Sequence, residues 1–177
     1  SNTVFRQTMN EISYLIASDV LQYVPFKKQI IETPLKKMSG TVLGQPIILV
    51  PILRAGLGLL EGFAKFLPEA EKGHIGLYRD EQSYEPVEYL FKLPRVKNKK
   101  ILILDPMLAT GNSSIAAINL IKNKSVNIKD IFLVSLLAAP EGIKNIQKNQ
   151  KGIHIFTCNI DVKLNKNKFI VPGLGDA

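Results

Sequence analysis

The chain has 177 residues, of which 46% are hydrophobic and 21% are charged, and its formal net charge is +8. This length suffices for one well-packed α/β domain, and the composition excludes a disordered chain. The longest apolar stretches are too short to span a bilayer, so we expect no membrane contact.

A single cysteine, Cys158, excludes an intramolecular disulfide framework and fits a reducing compartment. No basic and apolar leader opens the sequence, so we expect a cytoplasmic location. The lysines are spread along the chain, which favours solvated side chains first and attraction of anionic small molecules second. With no Trp and an aromatic fraction of 7%, we expect no nucleic-acid binding.

Hydrophobic periodicity predicts alternating helices and strands. In chain order they are a helix at 3–21, strands at 30–31, 41–43 and 47–50, a helix at 59–66, strands at 73–78, 87–93 and 101–104, a helix at 114–124, a strand at 131–137, a helix at 140–148 and a strand at 153–157. The strands at 73–78 and 87–93 form a predicted hairpin arm. Strands that alternate with helices imply right-handed crossovers and a mainly parallel sheet. No linker or repeat divides residues 1–177, so we expect a single domain.

The loop at 105–113 carries the strongest functional signal. An apolar strand ends at Asp105, and a turn of small and hydroxylated residues precedes the next helix, for which Ser113 is a suitable N-cap. Gly111 lets the backbone approach a ligand, while the helix N-terminus supplies N–H groups and the positive end of a dipole. These features predict a phosphate site, with Asp105 placed for the hydroxyls of an attached sugar. The alternative is an ordinary capped turn.

Arg54 ends another buried strand and precedes Ala-Gly-Leu-Gly. A guanidinium beside backbone amides that Gly56 and Gly58 leave free suits a pyrophosphate, whereas the alternative is a surface arginine in a glycine turn. Glu61 stands where the dinucleotide fingerprint requires its third glycine, which argues against that motif. At the hairpin end, Arg79 is either a solvated arm residue or part of a mobile arm that closes over a substrate and excludes water.

Four ordered segments together resemble the uracil phosphoribosyltransferase family, within the type I phosphoribosyltransferases. They are Pro-Ile-Leu-Arg-Ala-Gly-Leu-Gly at 51–58, the hairpin segments at 74–80 and 85–89, Asp-Pro-Met-Leu-Ala-Thr-Gly at 105–111, and Ile-Val-Pro-Gly-Leu-Gly-Asp-Ala at 170–177. The resemblance covers essentially the whole chain from the first helix onward. It implies an α/β fold with a mainly parallel central sheet flanked by helices, a β-hairpin arm and a C-terminal base-binding segment. The implied reaction converts uracil and 5-phosphoribosyl-1-pyrophosphate (PRPP) to UMP and pyrophosphate, a pyrimidine salvage step.

The resemblance also implies roles for individual residues. The implied catalytic residues are Arg54, Arg79, Asp105 and Asp176. The implied PRPP contacts are these four and the rest of the loop: Pro106, Met107, Leu108, Ala109, Thr110, Gly111, Asn112 and Ser113. The implied uracil contacts are Ile170, Gly175, Asp176 and Ala177, in a segment whose proline and glycines disfavour regular structure and leave backbone groups free for a ligand. In this scheme residues 109–113 hold the 5′-phosphate, Asp105 the ribose hydroxyls, and the two arginines the pyrophosphate.

Few carboxylates lie in the loop, so we expect Mg²⁺ to bind through PRPP oxygens and water rather than through a protein cage. The resemblance further implies a homodimer or larger homo-oligomer, with GTP as an effector in some relatives. The chain departs from the family pattern at Asn112, where a second glycine is usual, although asparagine tolerates positive φ. Family members also carry segments beyond both ends of this sequence. The alternatives are a non-catalytic PRPP-binding regulator or pseudo-enzyme of the same fold, and a purine transferase, against which the Asp-Pro pair and the tail argue.

Overall fold

The computed structural model describes residues 2–80 and 86–175, with Asn2 and Arg79 described by their backbone alone. The helices are α1 (Asn2–Leu21), α2 (Leu57–Phe66), α3 (Asn112–Lys122) and α4 (Pro140–Asn149). The strands are β1 (Phe26–Glu32), β2 (Lys37–Leu43), β3 (Ile47–Leu53), β4 (Glu71–Lys72), β5 (His74–Arg79), β6 (Pro86–Lys92), β7 (Lys100–Leu104), β8 (Met107–Leu108), β9 (Ile131–Ala138), β10 (His154–Ile160), β11 (Lys163–Leu164) and β12 (Ile170–Val171).

The central sheet has the strand order β10-β9-β7-β3-β5-β6. Neighbouring strands are parallel from β10 to β5, whereas β5 and β6 form an antiparallel hairpin, and the short β4 and β8 pair with β3 and β9. Two small antiparallel pairs, β1 with β2 and β11 with β12, lie outside this sheet. The predicted mainly parallel sheet and the predicted hairpin arm are confirmed.

Alternation along the buried strands divides the hydrophobic core between the two faces of the sheet. In β3, Ile47 and Leu49 pack with residues of α1 and α2, whereas Ile48 and Val50 pack with residues of α3 and α4. Successive strand residues point to opposite faces, so a continuous apolar run fits a strand that is covered on both sides. The buried strand predicted at 47–50 is confirmed. Because it continues to Leu53 and α2 begins at Leu57, the predicted loop at 51–58 is too long.

The direction of winding reverses between β3 and β7. After β3 the chain passes through α2 to β5 on one side, and after the hairpin it returns to β7 on the other side of β3. In open parallel sheets such a reversal leaves a crevice at the carboxyl ends of the two strands, because the loops that follow them separate there. Arg54 and Asp105 are the first residues after β3 and β7, so both lie at this crevice.

Within the ranges 2–80 and 86–175, none of the four helices combines the length and the apolar composition needed to cross a bilayer.

Candidate functional site

A cavity of about 210 Å³ lies at the carboxyl end of β7. Its lining comes from the loop and first turn of α3 (Asp105, Met107, Ala109, Thr110, Gly111, Asn112, Ser113, Ser114) and from the C-terminal segment (Lys168, Phe169, Ile170, Gly175). The fold therefore brings the segment predicted to hold a sugar phosphate next to the segment predicted to hold a base. We call this space the loop–tail cavity.

The N-terminus of α3 faces this cavity. The helix begins at Asn112, and its N-cap is Gly111 with a φ of +81°, so the prediction that Ser113 is the N-cap is wrong. Glycine adopts this left-handed conformation without the steric cost that a Cβ brings. The N-cap has no side chain that could accept from the first turn, and the Asn112 N–H makes only a long bond of 3.4 Å to Thr110 Oγ1. The first turn therefore offers N–H groups to an anion.

Asp105 lines the bottom of the cavity and is half-buried. Burial raises the pKa of Asp105 from 3.8 to about 6, and hydrogen bonds from Ser114 and from the backbone of Met107 offset part of that rise. The Ser114 hydroxyl donates to Asp105 Oδ2 over 2.9 Å. A desolvated carboxylate that is ionised at neutral pH is a strong acceptor for hydroxyl groups.

Arg54 lines a second, neighbouring cavity of about 580 Å³, together with Pro106, Leu174 and residues of α1 and α2. Met107 lines both cavities, so the two spaces adjoin at the loop after β7. The Leu53–Arg54 peptide bond is cis. Arg54 is therefore a lining residue of this neighbouring cavity and not of the loop–tail cavity.

The two glycines after Arg54 do not leave their amides free, contrary to the sequence-based prediction. Gly56 N–H donates to Ile52 O over 2.8 Å, and Gly58 N–H donates to Ala55 O over 3.0 Å. A Cβ on Gly56 would collide with the backbone oxygen of Leu104. Glycine is therefore needed at this position for close packing against β7.

The C-terminal segment is anchored on a buried carboxylate. Asp161 Oδ2 accepts from Gly173 N–H over 2.8 Å, and its Oδ1 accepts from Asn159 Nδ2 over 2.7 Å. Val162 N–H also donates to Val171 O, so part of the tail backbone that we expected to be free is already bonded. Asp161 was not predicted from the sequence, although it follows β10 as Asp105 follows β7, and this shared position at a strand end is the signal that could have found it.

Several residues implied by the resemblance occupy positions that limit their contacts. Leu108 is fully buried in the core, so its side chain does not reach the cavity, and Ile170 is buried except at the cavity wall. Arg79 ends β5, where it pairs with Pro86, but its side chain lies outside the described part of the structure. Asp176 and Ala177 also lie outside the described residues.

Lys168, Ser114 and Asn145 were not predicted from the sequence either. Lys168 is the one cationic side chain among the described residues that line the loop–tail cavity. Asn145 of α4 donates a hydrogen bond to Thr110 O of the loop. The two residues lie 35 positions apart in the chain, so no local pattern predicts this contact.

Comparison with known proteins identifies the family of the chain. The model of a family described as uracil phosphoribosyltransferase matches residues 1–177. A uracil phosphoribosyltransferase of Lactococcus lactis subsp. lactis is 45% identical over 179 residues, which cover 100% of this chain and 85% of that protein. A uracil phosphoribosyltransferase of Malacoplasma penetrans is 47% identical over 177 residues, which cover 99% of this chain and 85% of that protein.

Solved structures give the same result for the fold. The AQ2163 protein of Aquifex aeolicus superposes with a TM-score of 0.90 at 37% identity, over 97% of this chain and 82% of that chain. A purine phosphoribosyltransferase of Pyrococcus horikoshii shares the fold at a TM-score of 0.54 and 18% identity, over 67% of this chain and 72% of that chain. The match over the full sequence shows that this chain belongs to the uracil phosphoribosyltransferase family.

Proposed function

We propose that the chain transfers the 5-phosphoribosyl group of PRPP to uracil and releases UMP and pyrophosphate. One observation supports the proposal beyond family membership: the loop–tail cavity joins the N-terminus of α3, whose cap leaves first-turn N–H groups available, to the tail that the family resemblance assigns to uracil. Uracil and the sugar phosphate would then meet at the bottom of this cavity, beside Asp105.

The reaction needs a positioned substrate rather than a protein nucleophile. The bond from the anomeric carbon to pyrophosphate breaks, the leaving group takes the electron pair, and a uracil nitrogen forms the new bond. Positive charge builds on the ribose ring as the bond weakens. The protein would lower the barrier by holding two anions and the base in line and by stabilising the departing charge.

The residues named above have places in this scheme. Residues 109–113 would hold the 5′-phosphate on the first-turn amides of α3, and Asp105 would accept from the ribose hydroxyls. Arg54, which lines the neighbouring cavity, would bind the pyrophosphate, and we propose the same role for Arg79. Ile170 and Gly175, with Asp176 and Ala177, would contact uracil.

We propose that Mg²⁺ enters with PRPP. Among the described residues, no three His, Cys, Asp or Glu side chains are grouped as metal ligands. Asp105 is the one carboxylate among the described residues that line the loop–tail cavity. A site with a single carboxylate fits an ion that is held mainly by substrate oxygens and water. When bound, the ion would neutralise charge on the leaving pyrophosphate.

We further propose a single domain over residues 1–177, a homodimer or larger homo-oligomer, cytoplasmic action and GTP as an effector. These proposals rest on the family resemblance. The oligomer has additional support from the β1–β2 hairpin, where Ile30, Leu35 and Met38 are exposed apolar side chains suited to burial against another copy. The curated relatives described above carry the name of an enzyme, so they lend no support to a non-catalytic binder.

The test is conversion of radiolabelled uracil to UMP by the purified chain, with and without PRPP, in the presence of Mg²⁺. We expect UMP only with PRPP, and no nucleotide from hypoxanthine. Arg54→Ala should lower turnover about tenfold or more, because a charged hydrogen bond is worth about 1.5–3 kcal/mol. PRPP binding without any UMP would instead establish the non-catalytic alternative.

A further inference from the structure

One face of α4 packs against the loop at 105–113. Its residues Gly142, Asn145, Ile146 and Asn149 have the spacing that aligns side chains along one side of a helix. A Cβ on Gly142 would collide with the backbone oxygen of Ala109. The loop therefore lies directly against the first turn of α4.

The Asn145 carboxamide bonds to the loop through both of its N–H groups. Its Nδ2 donates to Thr110 O over 2.8 Å and to Asn112 Oδ1 over 3.1 Å. Its Oδ1 accepts from Asn149 Nδ2 over 2.9 Å, and the same nitrogen lies 2.9 Å from Asn145 O. Both donors of the Asn145 amide are used, and its oxygen has a partner, so the amide has a single consistent orientation.

The bond to Thr110 O has a consequence for anion binding. In a trans peptide the C=O and the following N–H point in opposite directions. Holding Thr110 O against α4 therefore directs the N–H of Gly111 away from α4. It also keeps a carbonyl dipole, which would repel a phosphate, out of the cavity that Thr110 and Gly111 line.

The bond to Asn112 addresses the departure from the family pattern. Asn112 stands at the position where a second glycine is usual, and it lines the loop–tail cavity. Its side-chain oxygen bonds to Asn145, so this acceptor is turned toward α4 instead of toward a bound phosphate. The chain thus accommodates a larger residue in the loop by pairing it with a second amide.

We propose that Asn145 is a positioning residue for the sugar phosphate, that Asn149 orients it, and that the Asn145–Asn112 bond lets the loop bind phosphate without the usual glycine. This role rests on the proposed transfer reaction. Asn145 lies under the loop and acts on the ligand only through Thr110 and Asn112.

The test compares Asn145→Ala and Asn145→Asp with the wild type. An aspartate side chain is isosteric with asparagine but has no N–H donor when ionised, so both variants lose the two bonds to the loop. We expect the KM for PRPP to rise about five- to thirtyfold, since one or two lost hydrogen bonds correspond to about 1–2 kcal/mol. We expect kcat at saturating PRPP to change by less than about threefold. Asn149→Ala should show the same pattern at a smaller size.

Asn119→Ala is the matched control. It removes the 2.7 Å bond from Gln150 Nε2 to Asn119 Oδ1, which links α3 to the C-terminal end of α4, away from the loop. We expect this control to leave the KM for PRPP unchanged while lowering the melting temperature about as much as Asn145→Ala does. An equal rise of KM in both variants would overturn the positioning role, because general loosening of α3 against α4 would then explain it.

A double-mutant cycle tests the coupling to Asn112. In an Asn112→Gly background, Asn145→Ala should raise the KM for PRPP by a smaller factor than in the wild type, since one of its two loop contacts is already gone. Equal factors in the two backgrounds would overturn the Asn145–Asn112 part of the proposal.

Calorimetric titration with ribose 5-phosphate gives the same comparison without turnover. Weaker binding of this probe by Asn145→Ala than by Asn119→Ala supports the positioning role even if the wild type makes no UMP, a result that would count against the proposed reaction alone. Equal binding by the two variants would count against the positioning role alone.

Discussion

Ser114 donates a hydrogen bond of 2.9 Å to Asp105 and so joins the first turn of α3 to the end of β7. The bond closes the loop at 105–113 on itself, because its two partners flank the residues that would hold a phosphate. Asp105 therefore has a fixed position relative to the N-terminus of α3. A sugar phosphate that spans the two would be bound by groups that are already in place, which lowers the entropic cost of binding.

The raised pKa of Asp105 makes a testable contribution to the pH dependence of stability. The unfolded carboxyl has a pKa near 3.8 and the folded one a pKa of about 6. Between these values the folded state keeps a proton that the unfolded state has lost, so this group's contribution to stability falls as pH rises from about 4 to about 6 and stays low above that. Asp105→Asn removes this penalty.

We therefore expect Asp105→Asn to be more stable than the wild type at a pH of about 7.5, with the difference shrinking toward a pH of about 4, in urea unfolding followed by circular dichroism. Asp19→Asn, which changes an exposed carboxylate of α1, serves as the control. A constant difference in unfolding free energy across this pH range would show that burial does not raise the Asp105 pKa.

Gly111 is required both by its backbone conformation and by its neighbours. Its φ is +81°, and a Cβ would lie 3.1 Å from the backbone oxygen of Gly142 and 3.1 Å from Ile146 Cγ1. Gly111→Ala should lower stability by about 1–2 kcal/mol from the left-handed conformation alone and should also shift the loop. We expect a rise of at least about tenfold in the KM for PRPP.

Gly152→Ala separates the effect of the left-handed backbone conformation from the effect of close neighbours. Gly152 has a φ of +90°, but its Cβ would meet only Ile128 Cγ2, at 3.9 Å. This variant should lose a similar amount of stability and keep the wild-type KM for PRPP. If both alanine variants bind PRPP normally, the loop after β7 is not the phosphate site.

Lys168 is expected to add long-range attraction for the phosphate. It lines the loop–tail cavity, whereas Lys166 of the same turn does not. Lys168→Gln should raise the KM for PRPP up to about fivefold, because an exposed charge pair is worth about 0.2–1 kcal/mol. The effect should fade at high salt. Lys166→Gln, with the same change in net charge, should leave the KM unchanged, and equal effects would indicate general electrostatics only.

Asp161 should control uracil binding through the tail. Asp161→Ala leaves the Gly173 N–H and the Asn159 amide without their buried acceptor, a loss worth about 1–3 kcal/mol. We expect the KM for uracil to rise about tenfold and the KM for PRPP to change less. Asp161→Asn keeps an oxygen for the Gly173 N–H and should recover most of the affinity. If uracil binding survives in Asp161→Ala, the tail is not held by this residue.

Patterns within single segments of the sequence predict most of the fold and part of the candidate site. The buried strands, the hairpin arm and the four helices follow from apolar periodicity, which each segment displays by itself. The loop after β7 was also evident, because a strand end, a glycine and a helix start lie within about ten residues of one another. In contrast, the predicted N-cap at Ser113 was wrong, because the cap is Gly111, whose left-handed φ and close approach to Gly142 and Ile146 of α4 are not visible in the local sequence.

Contacts between distant segments could not be predicted from the sequence. The amides of Gly56 and Gly58 were expected to be free, but partners in their own turn occupy them. Asn145 hydrogen-bonds the loop after β7 and Asp161 hydrogen-bonds the C-terminal segment, and no sequence pattern assigns a functional role to either residue. Their roles depend on how α4 and β10 pack, which is a property of the assembled sheet.

The most direct measurement is a crystal structure of the chain with UMP bound. We expect the 5′-phosphate to accept from the backbone N–H groups at residues 111–114, the ribose hydroxyls to donate to Asp105, and the uracil ring to lie against Ile170 and Gly175. A phosphate bound in the neighbouring cavity beside Arg54, or a uracil ring that makes no contact with the C-terminal segment, would contradict the proposed site.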